Sequence, residues 1–288
     1  MDHEDADLHA KLGGAHVFGS IKDVPALWIL AAAIERGEVG PQTTIVESSS
    51  GNFAIAIATA CRLLGLRFIP VIDPTISPLN EAVLRASCER VHKVSEPDDS
   101  GGYLRTRLRV VRELCAELTP SYWTNQYGNP DAMWAHYNIT GNDLCSSFER
   151  LDVAFVGVSS AGTIAGVSRR LKAHFPAVRV VAVDVEGSVI FGAPPARRRI
   201  PGIGASIVPT LLAQALVDEV SIVSEAASIA ACRTLLTRHG LFVGGSSGSV
   251  FAAVSEYDFS RHAGRPTAVF LCPDRGNAYV DTVFRDPE

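Results

Sequence analysis

The chain has 288 residues, 47% of them hydrophobic and 20% charged, with a net charge of -5 at neutral pH. That length accommodates one large or two ordinary domains with a substantial buried core. The charge is spread along the chain, which argues against an extended nucleic-acid surface, and no apolar run reaches the ~18 residues that a membrane-spanning helix needs.

The opening residues, Met1-Asp2-His3-Glu4-Asp5-Ala6-Asp7, are acidic where a signal peptide is basic, so a cytosolic location is expected. Cys61, Cys88, Cys115, Cys145, Cys232 and Cys272 are scattered singly and read as small buried hydrophobes rather than as disulfides or metal ligands. The histidines show no clustered ligand spacing, so no metal site is expected.

Lys22, in Gly19-Ser20-Ile21-Lys22-Asp23, is the first residue with chemical promise, because a lysine amine forms Schiff bases with carbonyls. Thr43–Val46 then predicts a strand, 52–64 a helix and 67–72 the next strand. A helix over 78–87, a strand over 90–94 and a longer helix over 103–118 follow. A second series starts with a strand at 153–158, a helix over 161–174 and a strand at 178–183, and ends on a strand at 268–271. Such alternation predicts an α/β fold of two parallel-sheet lobes with a cleft between them. The expected division is 24–130 for a smaller lobe and 1–23 with 131–288 for a larger one. The Gly-, Pro- and Arg-rich stretch 187–209 is expected to be an ordered loop.

Three polar, glycine-bearing turns fall where a strand gives way to a helix: Ser49-Ser50-Gly51-Asn52, Ser159-Ser160-Ala161-Gly162-Thr163 and Gly244-Gly245-Ser246-Ser247-Gly248-Ser249. That position aims free N–H groups at a bound anion, such as a phosphate or a carboxylate. With Lys22 they predict a pyridoxal phosphate enzyme. The basic run Arg197-Arg198-Arg199 is either a solvated loop or an attractor for an anionic substrate.

At these residues the chain resembles the fold-type II pyridoxal phosphate enzymes, the cysteine synthase and cystathionine β-synthase family, from Lys11 to Tyr279. The resemblance implies a two-lobed, tryptophan synthase β-like fold with the cofactor in the cleft. Lys22 matches the family's cofactor-bearing lysine, Ser50-Gly51-Asn52 its Ser-Gly-Asn turn, Ser159 to Thr163 its phosphate loop, and Gly202-Ile203-Gly204-Ala205 its Gly-Ile-Gly-Ala segment. His16, Val17 and Val24 replace the family's Asn, Pro and Arg around that lysine.

Within the family, Glu47-Ser48-Ser49-Ser50-Gly51-Asn52, Gly187 to Gly192, Pro201 to Ser206 and Pro273-Asp274-Arg275-Gly276 resemble the N-(2-amino-2-carboxyethyl)-L-glutamate synthase branch. That resemblance implies β-replacement on O-phospho-L-serine by L-glutamate, with phosphate as leaving group, toward 2,3-diaminopropionate for a siderophore or peptide antibiotic. Lys22 would hold pyridoxal 5'-phosphate and act as general base. Asn52 would bond the cofactor's ring oxygen. Ser159, Ser160, Ala161, Gly162 and Thr163 would take its phosphate. The ring nitrogen would meet Asp274, or else Ser247 or a water. Ser49, Ser50, Gly51, Phe53 and Gln126 would hold the substrate carboxylate, and Tyr127, Gly202 and Ser206 would serve the incoming glutamate, as would Ser159. A homodimer is implied. Cysteine synthase, with sulfide as nucleophile, a serine or threonine dehydratase and a non-catalytic cofactor-binding protein remain alternatives.

Overall fold

A computed structural model describes residues 3–98 and 101–285. Residues Lys22–Ala132 form one compact unit, inserted in the chain; the residues on either side of it form the second, flanking unit. The flanking unit opens with β1 (Asp7–Leu12). The inserted unit holds α1 (Asp23–Glu35), β2 (Thr44–Ser48), α2 (Asn52–Leu64), β3 (Arg67–Ile72), α3 (Pro78–Ser87), β4 (His92–Lys93), α4 (Leu104–Glu117) and β5 (Ser121–Trp123). The chain returns to the flanking unit through α5 (Pro130–Ala135), a π-helical segment (His136–Gly141) and α6 (Asn142–Ser147). It continues with β6 (Val153–Gly157), α7 (Gly162–His174), β7 (Arg179–Val185), β8 (Glu219–Val223), α8 (Glu225–His239), α9 (Gly245–Glu256) and β9 (Thr267–Cys272).

Both sheets are parallel, in the order β4-β3-β2-β5 in the inserted unit and β1-β9-β6-β7-β8 in the flanking one. Crossover helices cover the faces of such sheets, so their central strands are buried on both sides. β2 is buried at every position, and β3 at all but Arg67. The inserted core gathers Val46, Ile69, Val71, Val110, Val111 and Leu114, where α4 lies on the sheet. In the flanking unit the buried length of α9 packs with Phe155, Val183, Cys232 and Phe270.

Local signals account for the helix ends. The Ser77 hydroxyl accepts from the Asn80 N–H with Pro78 in the first turn, and Gly65 ends α2 in the left-handed conformation at φ 69°. Some predicted strands differ in extent. The strand expected over 90–94 shrinks to two residues at the sheet edge, and β2 and β7 each run two residues further than predicted. α7 packs closely on the end of α5 and the π-helical segment: a Cβ at Gly166 would stand 2.3 Å from the Met133 carbonyl oxygen and 2.6 Å from the Tyr137 nitrogen, so that contact requires glycine. Among the described residues no helix is long and apolar enough to cross a membrane, and no group of His, Cys, Asp and Glu could hold a metal ion.

Candidate active site

Every predicted site segment but two follows the C-terminal end of a parallel strand, where open α/β sheets bind ligands. The exceptions are Lys22, which precedes α1, and the segment Gly244–Ser249, which is not a turn after a strand as expected: it follows α8, and from Gly245 on it is the first part of α9 itself.

In the inserted unit β2 and β5 are neighbours, so the turns that follow them emerge side by side. The Gln126 side-chain amide donates to the Ser48 carbonyl at 3.2 Å and thereby ties the two turns together. Ser49 is buried, and Gly51 caps α2 ahead of Asn52 and Phe53. The Phe53 side chain belongs to the core, which leaves its backbone as the part that can face a ligand. The first turn of a helix carries N–H groups outside the helix's own ladder. Tyr127 is half-buried and follows Gln126 in a turn that begins with a left-handed Asn125 at φ 46°.

Ser50 is more committed than the sequence implies. Its hydroxyl donates to Asp73 Oδ2 at 3.0 Å and accepts from Arg107 Nη1 at 3.0 Å, while Arg107 Nε lies 3.2 Å from the same carboxylate oxygen. Arg107 of α4 and Asp73, just after β3, are therefore parts of the serine turn that sequence reasoning missed.

Lys22 is half-buried and immediately precedes α1, where its carbonyl accepts from the Ala26 N–H at 3.1 Å. The segment before it is anchored: Ile21 N–H donates to the Pro273 carbonyl at 2.7 Å, and Ser20 bridges Asp274. The chain has four lysines. Lys11, Lys93 and Lys172 are held by the carboxylates of Asp143, Glu81 and Asp218. Lys22, beside the anchored Gly19–Ser20–Ile21 segment, is the candidate nucleophile.

In the flanking unit β6 leads into Ser159, Ser160 and Ala161, and α7 starts at Gly162. Ala161 is left-handed at φ 63° immediately before α7, whose N-terminus is a candidate anion site. Thr163 Oγ1 meets His136 Nε2 at 3.1 Å, and His136 Nδ1 meets Thr140 Oγ1 at 3.0 Å, so a buried histidine orients the last hydroxyl of the loop. Ser159 donates to the Gly204 carbonyl at 3.1 Å, and Gly204 N–H donates to the Val158 carbonyl at 2.8 Å. These bonds fasten the Gly202–Ala205 segment to the phosphate-loop candidate, a structural use of Ser159.

Since an L-residue in the left-handed region costs roughly 1–2 kcal/mol and glycine repays part of that in chain entropy, Ala161→Gly is expected to stabilise the fold by about 0.5–1 kcal/mol. Urea unfolding checks this, and a loss of stability would mean that the methyl group packs productively.

The arginine run proves to be a loop fastener. Arg198 donates to the carbonyls of Gly187 at 2.5 Å and Ala205 at 3.3 Å and to the Ser206 hydroxyl at 3.1 Å, while Arg199 pairs with Glu225. Arg197 is exposed. Ser206 is thus half-buried beside a guanidinium, and Gly202 is exposed.

At the turn before α9, Gly244 N–H donates to the Asp274 carbonyl at 3.1 Å. The buried Asp274 accepts from the Tyr279 hydroxyl at 2.8 Å, and a Cβ at Gly244 would lie 2.0 Å from Asp274 Oδ1. Burial, reinforced by that neighbouring carboxylate, pushes the Tyr279 phenol well above its ordinary range. Ser247 Oγ is buried beside the Cys272 thiol without a hydrogen-bond partner of ordinary geometry. Ser246 is also buried, its hydroxyl 3.9 Å from where a Gly202 Cβ would be. A buried polar atom is expected to be satisfied, so the Ser247 hydroxyl suits a ligand with one polar ring atom.

The family model of pyridoxal-phosphate dependent enzymes matches residues 2–274. The chain belongs to that family. Its fold is that of the fold-type II enzymes, and its cofactor is pyridoxal 5'-phosphate. N-(2-amino-2-carboxyethyl)-L-glutamate synthase of Ralstonia nicotianae is 44% identical over 99% of this chain and 84% of its own length. The protein of the same name from Cupriavidus metallidurans is 44% identical over 98% of this chain and 84% of its own length. Among solved structures, the O-acetylserine dependent cystathionine β-synthase of Helicobacter pylori superposes with a TM-score of 0.89 at 28% identity, over 96% of this chain and 90% of that chain. An O-ureido-L-serine synthase gives a TM-score of 0.89 at 28% identity, over 99% of this chain and 89% of that one.

The residues present fit the cofactor of this pyridoxal-phosphate dependent enzyme. A helix N-terminus behind a left-handed residue suits its phosphate, and the orphaned Ser247 hydroxyl suits its ring nitrogen. Asp274 accepts from Tyr279 through Oδ2 and has its second oxygen, Oδ1, at the Gly244 turn, so it stands as the alternative for that nitrogen.

Proposed function

We propose that the enzyme joins O-phospho-L-serine and L-glutamate to give N-(2-amino-2-carboxyethyl)-L-glutamate and phosphate. The observation that carries this reading is the 44% identity to two synthases of that name across nearly the whole chain. In this reading Lys22 would hold the cofactor covalently, and its Nζ would take the α-proton of the bound substrate. When bound, pyridoxal phosphate supplies an electron sink for the pair left at the α-carbon. Loss of the α-proton and of phosphate from the β-carbon leaves a site that the glutamate amine attacks, forming the C–N bond; Lys22 then returns a proton to the α-carbon.

Ser49, Ser50, Gly51 and the Phe53 backbone, with Gln126, hold the substrate carboxylate, and Arg107 stabilises that turn from behind. Asn52 bonds the ring oxygen of the cofactor. Ser159 to Thr163 neutralise its phosphate with N–H groups and hydroxyls, and Ser247 faces its ring nitrogen. Tyr127, Gly202 and Ser206 border the place of the incoming glutamate, and Arg198 supports Ser206 rather than meeting substrate freely. The family likeness also supports a cytoplasmic homodimer that serves 2,3-diaminopropionate synthesis for a siderophore or peptide antibiotic.

Phosphate release tests the reading. O-phosphoserine should change the visible spectrum of the holoenzyme, and L-glutamate should reverse the change with one phosphate released per turnover. Reversal by sulfide and not by glutamate would make the enzyme a cysteine synthase instead.

A further inference from the structure

Glu47 is a carboxylate that the chemistry above does not use, and it is 0% exposed in the middle of the inserted unit. It lies on β2, whose every residue is buried. A buried carboxylate is costly unless its oxygens are bonded, and these are. Oε1 accepts from the Ser48 N–H at 2.7 Å. Oε2 accepts from the Thr124 hydroxyl at 2.5 Å and from the Gln126 N–H at 3.2 Å. The Gln126 side chain returns to the Ser48 carbonyl at 3.2 Å. One side chain thus joins the last residue of β2, which feeds the Ser49–Asn52 turn, to the two residues that position Gln126.

We propose that Glu47 is a positioning residue for the substrate carboxylate, holding the Ser49–Asn52 turn and the Thr124–Tyr127 turn in mutual register. The proposal rests on the reading that those turns bind substrate. Glu47 itself touches none. Its chemistry explains why a carboxyl group is needed. Two of the three partners are backbone N–H groups that only donate, and the third, the Thr124 hydroxyl, donates or accepts. A carboxyl group meets all three in either protonation state. An amide has one oxygen, so in Glu47→Gln its NH2 must face one of the backbone N–H groups, leaving a buried donor unpaired.

The test compares wild-type and Glu47→Gln holoenzyme. The O-phosphoserine concentration for half-maximal spectral change, and KM, should rise about tenfold, the consequence of roughly one unsatisfied buried donor. The value of kcat at saturation should stay within about threefold, because no group that touches the reacting atoms is altered. Thr124→Val, which removes one partner and spares both backbone bonds, should shift KM the same way by a smaller factor and serves if Glu47→Gln does not fold. Amide hydrogen exchange, followed without cofactor, should show lost protection at Ser48 and Gln126 in the Gln variant. Unchanged half-saturation with unchanged exchange overturns the proposal, as does a fall in kcat with no change in KM. A wild type that ignores O-phosphoserine counts against the function reading alone, and the exchange measurement then decides whether Glu47 holds the two turns.

Discussion

Lys22→Ala is expected to lower O-phosphoserine-dependent phosphate release by about 10³-fold or more, because one amine both carries the cofactor and moves the α-proton. The other lysines are poorly placed to substitute. Lys11, Lys93 and Lys172 are each engaged by a carboxylate, and moving one would cost an ion pair before any chemistry began. The protein should nevertheless fold, since Lys22 stands ahead of α1 and contributes its backbone to the first turn. Reduction with borohydride followed by peptide mass analysis checks the covalent link. In the wild type the cofactor mass should map to the peptide containing Lys22, and in the variant no lysine should carry it. Activity within about tenfold of wild type would mean that another group serves as base.

Arg107→Leu is the second change with a large expected effect. The Arg107 and Asp73 side chains are only 12% and 5% exposed, so removing the guanidinium takes the counter-charge from a carboxylate that keeps its bonds from Thr75 and Ser50, and leaves the Ser50 hydroxyl with one partner fewer. Breaking a buried pair from one side costs about 3–5 kcal/mol when the remaining charge is left uncompensated, and the bonds that Asp73 keeps put the expected loss at or below the lower end of that range. Arg107→Lys keeps the charge but not the planar fork that serves Asp73 and Ser50 together, so it should fall between the two. Urea unfolding measures the stability term. Spectral titration with O-phosphoserine measures the second consequence, a weaker grip on the substrate carboxylate. Wild-type stability in Arg107→Leu would show that Asp73 finds its partners elsewhere, and would remove the arginine from the account of the serine turn.

Much of the fold is legible where local chemistry is decisive. The bounds of α2, β3 and α3 follow from small residues before the helices, from Ser77-Pro78 and Gly65 at helix ends, and from the apolar run that β3 buries on both faces. β1 and β8 escape such reading. Both are edge strands, with one neighbour each and few buried positions, so Asp7–Leu12 and Glu219–Val223 lack the continuous apolar signature of a central parallel strand.

The site shows a similar division. Serine-glycine turns at strand ends are visible in one dimension because a helix N-terminus needs them. Arg107 is not, because α4 also carries Arg105, Arg109 and Arg112, and the four look alike as a solvated face until packing sets Arg107 against Asp73. The run Arg197-Arg198-Arg199 shows the same limit. It reads as either a solvated loop or an attractor for an anionic substrate, while Arg198 and Arg199 in fact hold carbonyls, Ser206 and Glu225. Glu47 could have been noticed: an acidic residue inside a strand of otherwise central character must be bonded to something, though beside the adjacent Ser48 N–H its partners Thr124 and Gln126 lie 77 and 79 residues away, beyond any local pattern.

The most direct test of the central claim follows the atoms. The holoenzyme is given O-phosphoserine labelled with carbon-13 at the β-carbon and L-glutamate labelled with nitrogen-15, and the products are read by nuclear magnetic resonance. The account predicts a single product whose labelled carbon is coupled to the labelled nitrogen, with phosphate released in equal amount. Labelled carbon found in pyruvate, or joined to sulfur only when sulfide is supplied, with no carbon–nitrogen coupling, would contradict it.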